Sequence, residues 1–362
     1  LKSAKAKRKQ NPPNIHDGNE ALWVQASFHR LTGYGDLSKH LTCELAKLMS
    51  IAIQTKPDFY EQVKKWGWWD RIRTPSVSLG PSLSLQPTFS GMTRPSGAPS
   101  ALFTMFECDR LSPTFRSIFD QFNLVIVSNN ENAMHYRNQT KTPIESVPLG
   151  INFEFYHWRP FCERDVFRFG TAGNLGHGST RKGLFRVIEW FQDAFPGSMR
   201  DVRLSIKLSR GYDKVDIRGD DRIKLVPDDM STQQLAAWHH SLDVYADGST
   251  YEGWGMFPCN SLACGRPVIG TYYGGHREYF KFGNHIPIGY KVQIADDIYE
   301  HLSGAWAVPD HSEGVEAMRW CYDNRAEVKR MGQRAADSVK HLTWKNTALG
   351  VLNALSKHGI FH

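Results

Sequence analysis

Apolar residues along the chain gather into short continuous runs, and between these runs they recur every three or four positions. In the first half, residues 21–27, 101–106 and 124–127 have the length and density of buried strands, and 145–151 closes the series. Leu37, Leu41, Leu45 and Leu48 predict a helix over 37–49. Pro113 stands at the first turn of a second helix over 113–122, and a third begins near Glu131. Residues 75–100 are rich in Pro, Gly and Ser, and the alternating runs 77–79 and 83–85 predict small strands among loops. In the second half, strands are predicted over 167–172, 202–208, 222–226, 242–247 and 267–269. Helices are predicted over 184–195 and 232–240, and a third stops at Gly265. Beyond Gly275 the pattern is mostly helical, with Thr343 and Trp344 opening a last helix. Strand and helix alternate throughout, which predicts a parallel α/β sheet in each half and a boundary near 156–163.

Three strand-to-helix turns carry candidate chemistry. Gly33-Tyr34-Gly35 lets backbone approach a phosphate while a helix N-terminus supplies partial positive charge. A tight turn without a ligand fits those three residues equally well. The second turn runs from Gly173 to Gly183 and ends in Arg181-Lys182, two cations beside glycine backbone, a cradle for a diphosphate. The third, Ser249-Thr250-Tyr251-Glu252-Gly253-Trp254-Gly255, brackets an acid with glycines ahead of a helix. Glu252 there also fits a cap on that helix. A lysine at a helix start opposes the helix dipole, so Lys182 reads as functional.

Composition changes this picture little. The 362 residues suit two domains; 41% are hydrophobic and 22% charged, with no apolar run long enough to cross a bilayer. The basic N-terminus lacks an apolar core behind it, so no signal peptide is read. Six scattered cysteines without a Cys-x-x-Cys pair read as reduced thiols of a cytoplasmic protein, not as a zinc site. Five of the net +7 charges sit on Lys2, Lys5, Lys7, Arg8 and Lys9, leaving a nearly neutral body behind a basic, solvated tail. Such a tail suits contact with nucleic acid or a membrane surface. Lys64, Trp66, Trp69 and Arg71 interleave cations with aromatic rings, a pattern that serves an acceptor-binding surface or an amphipathic helix packed inward.

With these residues in view, the chain resembles the GT-B glycosyltransferases of the retaining group called glycosyltransferase family four. The resemblance rests on Arg181-Lys182-Gly183, on Ser249-x-x-Glu252-Gly253-x-Gly255, on Ala263-Cys264-Gly265-x-Pro267-Val268-Ile269, and on Gly274-Gly275-x-x-Glu278. The run Val147 to Asn152 and Trp344 add to it. It implies two Rossmann-like domains with a cleft between them. The expected division is a flexible basic tail (1–20), an acceptor domain (21–158), a nucleotide-sugar domain (159–342) and a final helix (343–362) packing back on the first domain. It also implies hexosyl transfer with retention from a nucleotide-diphosphate sugar, with no metal and no cofactor. Lys182 and Arg181 would neutralise the leaving diphosphate, Gly33 and Gly35 would approach it from the other domain, and Glu252, Gly253, Trp254 and Gly255 would meet the donor sugar. Three positions depart from the family pattern. Asn260 stands where an acid binds the ribose, Glu107 where many relatives carry histidine, and Asn174 where many carry arginine.

Glu107 and Glu252 as a glycosidase pair would leave the Arg181-Lys182 cradle and the glycine turns unexplained. Two further readings stay open. One is transfer to a hydroxylated base of viral DNA, motivated by the basic tail and residues 64–73. The other is a nucleotide- or glycan-binding protein without turnover, favoured by Asn260 and Asn174.

Overall fold

The computed structural model describes residues 21–26, 33–54, 72–73, 80–85, 98–173, 179–208, 215–226, 230–280, 284–295 and 302–361. The first half contains β1 (Leu22–Ala26), α1 (Gly33–Leu48), β2 (Ile51–Gln54), β3 (Ile72–Arg73), β4 (Ser82–Leu85), β5 (Ser100–Thr104) and β6 (Arg110–Leu111). It continues through α2 (Pro113–Phe119), β7 (Leu124–Val127), α3 (Asn130–Arg137) and β8 (Ile144–Ser146). Seven strands form one sheet in the order β3-β2-β1-β4-β5-β7-β8, every pair parallel. Fully apolar runs such as Leu124–Val127 are buried along their whole length because helices cover a parallel sheet on both faces.

The run 83–85, expected as a small strand, lies in β4, a central strand between β1 and β5 with all four residues buried. Its Ser-Leu-Ser-Leu alternation reads as half-exposed, but the serines are small enough to be covered, and Ser84 Oγ donates to Gln25 Oε1 at 3.1 Å. Helix α1 starts at Gly33, so the Gly33-Tyr34-Gly35 turn forms its first turn.

The second half opens with β9 (Phe167–Gly173), α4 (Ser179–Lys182), α5 (Leu184–Ala194), β10 (Val202–Leu208), β11 (Ile223–Val226) and α6 (Thr232–His240). Then come β12 (Val244–Ala246), α7 (Met256–Ala263), β13 (Val268–Gly270), a 3-10 turn (Gly274–His276), α8 (Arg277–Phe280) and β14 (Ile286–Pro287). Its sheet is again wholly parallel, in the order β11-β10-β9-β12-β13-β14. In each sheet the strand order reverses beside the first strand, between β1 and β4 and between β9 and β12. Loops part at such a point and leave a crevice.

The stretch after Gly275 is less helical than its pattern suggests. β15 (Tyr290–Ile294) pairs antiparallel with β17 (Ala305–Pro309), and β16 (Leu302–Ser303) pairs with β6 of the first half. Trp306 of β17, buried, joins an apolar cluster with Phe106, Leu111, Phe115 and Tyr136 of the first half. Helices α9 (His311–Asp323), α10 (Arg325–Ser338) and α11 (Trp344–Lys357) follow. Thr343 caps α11 and bridges to Ile151, Thr347 Oγ1 donates to the Pro148 carbonyl, and Trp344 stacks on His40 of α1. The last helix therefore lies on the first domain. Among the described residues, no helix is long and apolar enough to cross a membrane.

Candidate active site between the two sheets

Arg181 and Lys182 follow β9, and Glu252 follows β12, so the charged loops of the second sheet leave its switch point side by side. Their contact is enforced by backbone. A Cβ on Gly183, which has φ +61° and begins α5, would stand 1.8 Å from the Gly248 carbonyl oxygen, so only glycine allows these loops to touch. The Thr250 amide donates to the Arg181 carbonyl at 2.8 Å, completing the junction.

Arg181 is 3% exposed. Its Nη1 donates to the Tyr251 carbonyl at 2.6 Å and to Glu252 Oε1 at 3.1 Å, and its Nη2 to Glu107 Oε1 at 2.8 Å. Lys182 Nζ reaches the same Glu252 oxygen at 2.6 Å, with a side chain 32% exposed. Glu107 comes from the loop after β5, so one guanidinium ties together carboxylates from both sheets. Burial pushes the Glu252 carboxyl up, but Lys182 and Arg181 more than offset it and hold the group below its ordinary range. Burial lifts the Glu107 carboxyl above its ordinary range despite the same two cations, and the charge of Glu252 adds to the lift.

The first domain grips the loop carrying Glu252 through uncharged donors. Ser128 Oγ and Asn129 Nδ2 both donate to the Gly253 carbonyl at 2.6 Å. The Asn130 amide, at the start of α3, donates to Glu278 Oε1 at 2.8 Å, and Glu131 pairs with Arg277 at 3.2 Å. A Cβ on Gly253 would stand 2.9 Å from the Met105 carbonyl carbon and oxygen, two residues before Glu107. This polar run after β7 looks in the sequence like an ordinary helix start. Asn129 does cap α3 by accepting from the Asn132 amide, and that local role hides the contact across the cleft.

The other expected site residues divide three ways. Gly33 and Gly35 lie in the first turn of α1, and a Cβ on Gly33 would meet Met256 Sδ at 3.2 Å, so α1 and α7 begin face to face across the cleft. Asp36 in that turn has its carboxyl pushed up to about 6 by burial, with Lys39 opposing. Asn260 lies on α7, mostly buried. Trp254 corrects the expectation made for it. The residue is 2% exposed and its ring packs 5.5 Å from Tyr279, filling core. Asn174, Lys64, Trp66, Trp69 and Arg71 lie outside the described residues.

The family described as "Glycosyl transferases group 1" matches residues 220–337. The D-inositol 3-phosphate glycosyltransferase of Pseudarthrobacter chlorophenolicus is 30% identical over 134 residues, which span 37% of this chain and 27% of that protein. The HepE protein of Anabaena, solved with UDP and glucose, superposes with a TM-score of 0.66 at 12% identity, over 93% of this chain and 99% of that one. Sucrose-phosphate synthase from Thermosynechococcus elongatus gives 0.64 at 13% identity, over 94% and 99%. The chain has the GT-B fold, and its residues 220–337 match the glycosyl transferases group 1 family.

Proposed function

We propose that the chain moves a hexosyl group from a nucleotide-diphosphate sugar to an acceptor hydroxyl, with retention and without a metal. The observation that supports this reading best is the Glu107–Arg181–Glu252–Lys182 cluster at the crevice between two doubly wound sheets. Lys182, the more open cation, would take the leaving phosphate. Arg181 would hold the two carboxylates in place, and Glu252, kept ionised, would accept hydrogen bonds from sugar hydroxyls. With both carboxylates ionised the cluster is formally neutral. A proton on Glu107 gives it one positive charge, the sign a diphosphate requires.

In the transfer, the bond from the anomeric carbon to the β-phosphate oxygen breaks and a bond to the acceptor oxygen forms on the same face. The acceptor's proton passes to the departing phosphate oxygen. The protein's part is to stabilise charge on phosphate and on the oxocarbenium-like sugar.

The test incubates the full chain with UDP- and GDP-sugars and a panel of polyol, glycan and duplex DNA acceptors. Nucleoside diphosphate release and product anomeric configuration are followed with and without EDTA. Acceptor-dependent release, retained configuration and indifference to EDTA are expected. Binding of a donor without release under any condition would overturn the reading in favour of a binding protein. One observation favours that alternative: Arg181 is enclosed by protein, which leaves Lys182 as the cluster's more open cation among the described residues.

A further inference from the structure

Beneath the Glu252 loop lies a second charged pair that the transfer chemistry does not use. Asp247 follows β12 and His276 ends the 3-10 turn, and both are buried, His276 to 2% exposure. His276 Nδ1 stands 3.1 Å from the Thr271 carbonyl oxygen, and Nε2 stands 3.5 Å from Asp247 Oδ2. With Nδ1 donating to the Thr271 carbonyl, Nε2 has no hydrogen-bond partner among the described residues and faces the Asp247 carboxylate at ion-pair distance, an arrangement that favours a second ring proton. The other Asp247 oxygen accepts from the Ser249 amide at 2.8 Å. One pair therefore joins the loop that leads to Glu252 with the loop 271–278 that carries Glu278. The ring also supports the start of α7, since Nε2 lies 3.0 Å from where a Cβ on Gly255 would stand.

We propose that Asp247 and His276 are positioning residues that hold these two loops in register, and that donor binding requires the proton on His276. This rests on the nucleotide-sugar reading above.

The charged and titratable groups around the ring are Asp247 and Tyr245 from β12, Glu252 from the loop above, Arg186 from α5, Tyr279 from α8 and His285 ahead of β14. Arg186 Nη1 bonds the Gly248 carbonyl and so stands on the far side of Asp247. Burial pulls the imidazole's affinity for a proton down, but Asp247, then Glu252 and the Thr271 carbonyl, raise it above 6.5. Burial pushes Asp247 up, but His276 and Ser249 hold it down at about 2. Both shifts favour the charged pair. As pH rises through the value for His276 the proton is lost, a nitrogen lone pair faces the carboxylate, and the loops separate.

The test uses the full chain and its Asp247→Asn and His276→Gln variants. Donor KM and kcat are measured from about pH 6 to about pH 10 by diphosphate release, and the ring nitrogens are followed by ¹⁵N NMR. In the parent protein donor KM should climb on the alkaline side while kcat at saturating donor changes less. A neutral amide in place of the Asp247 carboxylate can no longer hold the proton on the ring. Asp247→Asn should therefore move that limb to lower pH and raise KM about tenfold or more at neutral pH. His276→Gln keeps a donor but loses the titration, so its KM should be raised yet flat across the same range. An Asp247→Asn limb in the parent's place, or a uniform loss of kcat with an unchanged profile, would overturn the proposal. The NMR titration stands even without turnover. If His276 loses its proton below 6.5, the positioning pair is wrong; if it holds the proton and no diphosphate is released, only the transferase reading fails.

Discussion

Arg181 and Lys182 are adjacent in sequence and bind the same carboxylate oxygen, yet their replacement should have opposite consequences. The Lys182 side chain is about one-third exposed and makes one ion pair, so Lys182→Ala should cost at most about 1 kcal/mol of stability. If Lys182 meets charge developing on the leaving phosphate, its loss should cost about 3–4 kcal/mol at the transition state, on the order of a hundred- to thousandfold in kcat. Arg181 is enclosed, and Arg181→Ala removes the donor shared by Glu107, Glu252 and the Tyr251 carbonyl, leaving Glu252 bonded to Lys182 and Glu107 without its cation. Removing one partner from a buried charge cluster costs about 3–5 kcal/mol, so this variant should unfold at markedly lower denaturant. Adding Glu252→Gln to Arg181→Ala should recover part of the stability, since a neutral amide needs no cation, while activity stays lost. Urea unfolding followed by fluorescence, with diphosphate release on the same samples, measures both quantities. An Arg181→Ala midpoint equal to the parent's, or near-parent turnover in Lys182→Ala, would refute the division of roles.

Three other outcomes follow from the geometry. Gly253→Ala must push the Met105 and Phe106 backbone away by several tenths of an ångström, so it should separate Glu107 from Arg181 and lower turnover far more than melting temperature. Trp306→Ala empties a buried site between the domains and should cost about 3–5 kcal/mol, read as an earlier unfolding transition by calorimetry. Asp36 has a folded value of about 6 against 3.8, so its contribution is most favourable below 3.8 and is lost as pH rises through 6. Asp36→Asn should therefore raise the melting temperature at pH 7–8 and give no gain near pH 3, checked by thermal melts across that range.

Most of the scaffold could be read from the chain because its strands are continuous apolar runs, as in Leu124–Val127, or alternate apolar with polar residues, as in Val202–Leu208, and its helices carry one apolar stripe. Two features needed tertiary context. The small strand read at 83–85 gains its central place from neighbours that bury its two serines, and β16 acquires its identity from Arg110 and Leu111, far away in the sequence. A window of ten residues contains neither partner. Trp254 failed for a related reason: an aromatic residue between loop glycines suits a sugar platform, and only tertiary packing turns it inward.

The site was legible in its residue types but not in its connections. Lys182, read in the sequence as a helix start, instead ends α4, where a cation suits the dipole; an acid between glycines does contradict local preference, and such a contradiction marks a place where something other than folding selects the residue. Ser128, Asn129 and Asn130 contradict nothing, because Ser and Asn are ordinary choices after a strand and before a helix. Their side chains and amides nonetheless fasten the Gly253 carbonyl and Glu278 of the other domain. Asp247 and His276 are likewise ordinary one at a time, and become informative once the buried ring is seen between the Thr271 carbonyl and the carboxylate. The cluster around Arg181 is therefore held by three layers. The glycine junction at Gly183 and Gly248 aligns the two charged loops. The buried pair beneath sets their register to the 271–278 loop. The uncharged donors of the first domain bring Glu107 within reach. If that ordering is right, weakening the outermost layer with Ser128→Ala should loosen Glu107 alone and leave the Lys182–Glu252 contact intact.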